Sequence, residues 1–296
     1  MARSFPPDVV VLDSDSLIHV RVGRGGKGAK ILQAKSYSLR DDTFAPGVVS
    51  PSLQNEAAFA EVLRRLKLET GRWDKVSVLL PDAWFRMNII ELQSVPERAS
   101  ETAEVIRWSL RRTMPIDPSL LRLSYEVLTR TPPRVLAVSA VEATLAAIER
   151  QFAAAGIEVI LLEPAGLNIW NAITNGETAT TRDRIFFYIR ERDFTTAVFR
   201  GAQPLFIRSR NLDGERTLQQ EIKLSATYLR DSLQTTSIEN CYVVGNSIDR
   251  SVADAIRTEF SAPVKQIALR DVAEQVPGDS SQYDAELTAA TGVFTG

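Results

Sequence analysis

Three groups of residues in this chain are of types that could do chemistry. The first is Arg24-Gly25-Gly26-Lys27-Gly28, where glycines and cations together suggest a loop that cradles phosphate. It lacks the Gly-Lys-Ser/Thr ending, and no helical pattern follows it. It therefore reads as the tip of a hairpin between two strands. The second is His19, the one histidine. It alternates with Ile18 and Val20, which puts it on the opposite strand face with Arg21; a solvated or edge position is expected. No Ser-His-Asp arrangement can be argued from it. The third is a run of arginines, Arg98, Arg107, Arg111, Arg112, Arg122 and Arg130, near Trp84, Phe85 and Trp108. One reading is a solvated basic face. Another is contact with a partner or with anionic lipid, the aromatic residues lining an apolar groove. Aromatic residues at helical spacing also belong in cores.

Composition narrows the classes. Net charge is -2, so nothing in the total points to nucleic acid. A single Cys241 excludes an internal disulfide, and one histidine excludes a multi-histidine metal site. The longest apolar runs, such as Val159-Ile160-Leu161-Leu162, are strand length, far short of the ~20 residues that span a bilayer. No signal peptide is read in residues 1–7. A cytoplasmic protein is expected, and 44 % apolar residues suffice for a sizeable core.

The elements that must carry these residues repeat. Strand patterns at 9–12, 17–22 and 31–38 recur at 185–189, 194–199 and 205–208. Short polar turns, Asp13-Ser14-Asp15-Ser16 and Arg190-Glu191-Arg192-Asp193, join the first two strands of each copy. Each copy continues with a helix and a strand, at 56–68 and 76–80 and again at 217–233 and 241–244. Gly71 stands where the first helix would stop. The first copy also holds a β-α-β-β-α block. Ser94-Val95-Pro96-Glu97 reads as a capping box for its first helix, and Ser139 with Glu142 as one for its second. The expected plan is a first half over 1–178 with a subdomain inserted at about 84–155, and a second half over 179–296.

The duplicated plan resembles the actin-like ATPases, in which the two turns grip nucleotide phosphates. Further stretches, in order, resemble the PilM family, the cytoplasmic actin-like component of type IV pilus assembly. They also resemble the cytoplasmic part of the type II secretion protein GspL. These stretches are Leu79-Leu80-Pro81-Asp82 with Pro96-Glu97, and Trp108-Ser109-Leu110-Arg111-Arg112 with Pro115-Ile116-Asp117 and Leu123-Ser124-Tyr125. They continue with Leu136-Ala137-Val138-Ser139-Ala140, Ala155-Gly156-Ile157 and Leu162-Glu163-Pro164. Phe199-Arg200-Gly201, Phe206-Ile207-Arg208 and Thr288-Ala289-Ala290-Thr291-Gly292 complete the set. The resemblance implies an α/β, actin-like (ribonuclease H-like) duplicated fold.

It also implies a nucleotide site, with Asp13, Ser14 and Ser16 holding Mg²⁺-ATP and Gly245 and Asn246 on the adenosine side. Such turns need glycine, so that backbone N–H groups can approach phosphate oxygens, and an Asp to organise Mg²⁺. This sequence departs from that pattern. Asp13-Ser14-Asp15 replaces Asp-Ile-Gly, Arg190-Glu191-Arg192 replaces a second Asp and Gly, and Gly245-Asn246-Ser247 keeps one glycine. A second carboxylate facing phosphates would repel them. The expectation is a degenerate site and a non-catalytic scaffold; the alternative is an ATP-binding protein with altered loops. The family's membrane-spanning partner, of the PilN type, is held by its short cytoplasmic N-terminal peptide. That implies a partner region around Trp84, Phe85, Trp108, Arg111 and Arg112. It also implies attachment to an inner-membrane platform through the partner, without insertion of this chain.

Overall fold

The computed structural model describes residues 5–25, 28–47, 49–175, 180–201, 203–212, 217–233, 237–246, 248–274 and 281–294. The chain opens with β1 (Asp8–Leu12), β2 (Ser16–Gly25) and β3 (Gly28–Ser38). The short pair β4 (Phe44–Ala45) and β5 (Ser52–Leu53) leads to α1 (Glu56–Thr70) and β6 (Lys75–Leu80). Next come β7 (Arg86–Glu91), α2 (Ala99–Leu110), a tight helical turn (Pro118–Leu120), β8 (Leu121–Arg130) and β9 (Pro133–Val141). Then follow α3 (Glu142–Ala154), β10 (Glu158–Pro164) and α4 (Ala165–Thr174). The repeat is β11 (Asp183–Ile189), β12 (Asp193–Arg200), β13 (Gln203–Asn211), α5 (Leu218–Leu233) and β14 (Ile238–Val244). The chain ends with α6 (Arg250–Phe260), β15 (Val264–Gln266), α7 (Leu269–Val272) and α8 (Asp284–Gly292).

These elements form two compact units. One draws on the described residues within 1–85, 140–177 and 268–296, the other on those within 86–139 and 178–267. Sheet order in the first unit is β10-β6-β1-β2-β3. β1 is antiparallel to β2 and parallel to β6. It is buried along its whole length, as its unbroken apolar run requires of a central strand. Asn55 caps α1, its side-chain oxygen accepting the Ala58 N–H at 3.0 Å, and Gly71 ends the helix at φ 88°. Phe59 and Phe152 bring α1 and α3 together edge to face. α8 lies against α4 and the sheet. It is lined by Ala285, Thr288, Ala289 and Gly292, all buried, and a Cβ at Gly292 would stand 1.7 Å from the Asn168 carbonyl oxygen. The close crossing of the two helices therefore requires glycine there.

The second unit repeats the sheet order as β13-β12-β11-β14-β15. β11 is antiparallel to β12 and parallel to β14. Ile185, Phe187, Ile189, Phe194 and Val198 pack under α5 and α6 through Ile222, Leu229, Val252, Ile256 and Phe260. The same unit contains a three-stranded sheet, β7-β9-β8, whose core is Val135 and Ala137 with Ile106 and Leu110 of α2. Gln203 Nε2 donates to the Leu128 carbonyl at 3.3 Å, tying β13 to the end of β8.

Several expectations meet a different outcome. Within the stretch expected as a subdomain at about 84–155, α3 packs on α1 and β10 while β7 runs beside β13. The box read at Ser94 is not formed. α2 starts at Ala99 with Arg98 as its cap, and the Thr102 hydroxyl donates back to Pro96 at 3.1 Å. Nor does Ser139 cap α3; it lies within β9, its hydroxyl donating to the Arg86 carbonyl at 3.4 Å. A reciprocal cap does form at α5, where Thr217 and Gln220 exchange backbone-to-side-chain bonds of 2.9 and 3.3 Å. β2 and β3 pair out to Gly25 and Gly28, as a hairpin tip requires; Gly26 and Lys27 lie outside the described residues. The linker expected at 175–182 and the loop at 271–283 lie partly outside them too.

Gly292→Ala is expected to lower unfolding stability by at least about 2 kcal/mol, measured by urea denaturation. The Asn168 carbonyl is helix backbone and cannot give way.

Candidate functional site

The two turns predicted to matter are built alike. In the first unit the Asp13 N–H donates to the Ser16 carbonyl at 2.8 Å, and the Leu39 N–H, just past β3, donates to the Asp15 carbonyl at 2.7 Å. In the second the Arg190 N–H donates to the Asp193 carbonyl at 2.9 Å, and the Leu212 N–H donates to the Arg192 carbonyl at 2.7 Å. Thus the third strand of each copy clasps its turn from outside. Among the described residues the only non-glycine with positive φ is Ser261, so neither turn uses a left-handed residue.

The side chains differ. At the first turn Asp13 Oδ1 accepts the Ser14 N–H at 2.6 Å and lies 3.3 Å from the Ser14 hydroxyl. The backbone donors of Asp13 and Ser14 are therefore both engaged within the turn. Asp15 is exposed; Asp13, Ser14 and Ser16 are half-buried. At the second turn half-buried Arg190 and buried Asp193 form an ion pair, 3.5 Å from Nη1 to Oδ2. Asp193 Oδ1 and the hydroxyls of Thr195 and Thr196 are buried with no hydrogen-bond partner among the described residues. Burial pushes the Asp193 carboxyl above its ordinary value, and the Arg190 charge opposes that shift. Sequence reasoning missed Asp193. Its signal was an Asp at the start of a strand, three residues after an Arg across a tight turn.

Gly245 and Asn246 follow β14 in the second unit. A Cβ on Gly245 would stand 2.3 Å from the Ile189 carbonyl, so the packing of β14 beside β11 requires this glycine whether or not a ligand binds.

His19 is not solvated. It is fully buried, its Nε2 lies 2.8 Å from Asp8 Oδ1, and its ring stacks on Trp73 with centroids 5.0 Å apart. Asp8 also accepts from Arg21 Nε at 2.9 Å. The second unit has a counterpart in Asp183, which holds Arg200 by two bonds of 2.7 and 3.0 Å. Strand alternation gave the face correctly; what covers that face is set by Trp73, distant in sequence. Burial pushes the Cys241 thiol up to about 12, leaving it unreactive at neutral pH.

The expected partner region separates into core and surface. Trp84 and Phe85 are 6 % and 4 % exposed, and Trp84 packs on Phe44 with ring centroids 5.0 Å apart. They are core residues of the first unit and offer no groove lining. Arg107 turns inward, donating to the Pro118 and Leu121 carbonyls at 2.6 and 3.0 Å. Trp108, Arg111 and Arg112 stay on the surface, with the Arg112 guanidinium 5.5 Å from the centre of the Trp108 ring.

No family model and no curated protein matches the sequence. Solved structures do match. A PilM-PilN type IV pilus biogenesis complex superposes with a TM-score of 0.77 at 20 % identity, covering 96 % of each chain. A Bacteroides thetaiotaomicron protein of unknown function, described as having an actin-like ATPase fold, gives 0.57 at 11 % identity over 95 % of each chain. The cytoplasmic domain of EpsL, an inner-membrane component of the Vibrio cholerae type II secretion system, gives 0.53 at 10 % identity over 98 % of this chain and 94 % of that one. The chain has an actin-like ATPase fold. The twice-repeated sheet order and the paired, clasped turns are the form this fold takes here.

Two outcomes follow from this geometry. Gly245→Ala should lower stability by about 2 kcal/mol, and by the same amount with and without Mg²⁺-ATP in thermal melts. Asp193 has a raised folded-state value, so its contribution is present below the ordinary carboxylate value of 3.8 and is lost as pH rises through the folded one. Asp193→Asn should therefore gain stability relative to the wild type between acid and neutral buffer, read from paired urea midpoints.

Proposed function

We propose that this chain is a non-catalytic scaffold of an inner-membrane assembly platform, for a type IV pilus or a type II secretion system. In this reading it holds the short cytoplasmic peptide of a membrane-spanning, PilN-like partner. The observation that carries the reading is the likeness to the PilM-PilN complex over 96 % of the chain at a TM-score of 0.77. The likeness to the cytoplasmic domain of EpsL supports the same setting. No helix among the described residues is long and apolar enough to cross a membrane. The partner supplies the span and keeps the chain at the cytoplasmic face.

Support for a non-catalytic role comes from the turns. Phosphate binding of this type needs backbone donors aimed at the ligand, and those of Asp13, Ser14 and Arg190 are spent within their own hairpins. A nucleotide-binding reading would use Asp13, Ser14, Ser16, Gly245 and Asn246; what favours it is that both hairpins are retained.

The test is co-purification from detergent-solubilised membranes with a co-expressed single-span protein of the PilN type. The full-length partner should be captured, and the partner lacking its cytoplasmic N-terminal segment should not. Equal capture of both, or of neither, would overturn the peptide-holding reading.

A further inference from the structure

Helix α2 buries Thr102, Ile106 and Leu110 and leaves its other face open. That open face is ordered along its length. It carries Glu101 and Glu104 first, then Val105 and Trp108, then Arg111 and Arg112. Steps of four, three and four residues link Glu101, Val105, Trp108 and Arg112, the spacing of a single stripe by which one helix meets another. Val105 is 37 % and Trp108 65 % exposed, whereas Trp73, Trp84 and Trp170 are buried. The stacking of Arg112 over the Trp108 ring places that arginine on the same stripe.

Part of this order has a local cause. Carboxylates favour a helix N-terminus and cations a C-terminus. The local ion pairs, an exposed one from Arg98 to Glu101 at 3.4 Å and a half-exposed one from Arg107 to Glu104 at 3.8 Å, contribute little. Neither effect accounts for an apolar pair held in water at the centre of the stripe.

Read in reverse, the stripe is its own complement. Turned end for end, Glu101 faces Arg112 and Val105 faces Trp108, with the two-fold axis between Ile106 and Arg107. A two-fold contact requires such self-complementarity. We propose that α2 is a contact between two copies of this chain, paired antiparallel through Glu101, Val105, Trp108 and Arg112. Other occupants fit less well. A flat anionic membrane would meet Glu101 and Glu104 along with the arginines. An acidic peptide would satisfy the arginines and oppose the glutamates. A second copy satisfies both ends. A helix of 12 residues buries less than the roughly 1,000 Å² of a stable interface, so the dimer is weak and forms where copies are concentrated.

Sedimentation velocity over a concentration series tests this, with circular dichroism confirming that each variant is folded. The wild type should move toward dimer as concentration rises, and Trp108→Ala should remain monomeric. Glu101→Arg and Arg112→Glu alone should each weaken association about tenfold, about 1.4 kcal/mol. Together in one chain they should restore it, because the pairs re-form with reversed sign. A wild type that stays monomeric throughout would overturn the proposal. So would single variants that weaken association while the double variant fails to restore it. Flotation of the wild type with phosphatidylglycerol vesicles, lost in Arg112→Glu and not regained in the double variant, would assign the stripe to lipid and equally overturn it.

Discussion

The hairpin clasp is the constraint on which the rest depends. β1 and β11 are central strands with neighbours on both sides and helices packed about their sheets, so their apolar runs are buried throughout. A strand buried in that way must close its hairpin without leaving backbone groups unpaired. Each copy meets the requirement identically, with one bond across the turn and one from the residue that follows the third strand. The clasp fixes the register of three strands at once. That register aligns Asp8 with Arg21 and Asp183 with Arg200 on neighbouring strands, anchoring the far end of each hairpin.

Once the turns are closed in this manner, their side chains are free to diverge. The first keeps a solvated cluster of Asp and Ser whose donors serve the turn itself. The second holds a largely buried Arg–Asp pair. A buried pair of this kind is weak evidence for stability, since desolvation opposes the attraction. It does hold a cation beside a carboxylate within the turn. Gly245 is likewise explained by the approach of β14 to β11. The architecture persists through backbone bonding and burial, and needs no ligand to justify its residues. A scaffold whose surface carries the function is consistent with that, and the surface of α2 is where an aromatic residue and cations stand together in water.

Much of this was legible in the sequence. The repeat, its strand order and most helices follow from apolar runs and turn residues, and Gly71 marks the end of α1 as read. What was illegible depends on partners far along the chain. Trp84 and Phe85 follow an apolar strand, a pattern that suits a groove or a core equally; both are buried, Trp84 against Phe44. His19 was assigned the right face, but Trp73 covers it. The pattern of α8, rich in Ala and Thr, gives no amphipathic signal because the helix is buried all round. Local pattern also misled at Ser94 and Ser139, whose spacing suits capping boxes. A strand running directly into α3, and a helix begun later at Ala99, exclude them. At the candidate site the sequence showed which glycines were missing. It could not show that the Asp13, Ser14 and Arg190 N–H donors are engaged within the turns.

The measurement that bears most directly on this account is calorimetric titration of the purified chain with Mg²⁺-ATP. The account predicts no saturable heat and no thermal stabilisation at millimolar nucleotide, with Asp13→Ala behaving as the wild type. Saturable micromolar binding that Asp13→Ala abolishes would contradict it and make the first hairpin a working phosphate grip.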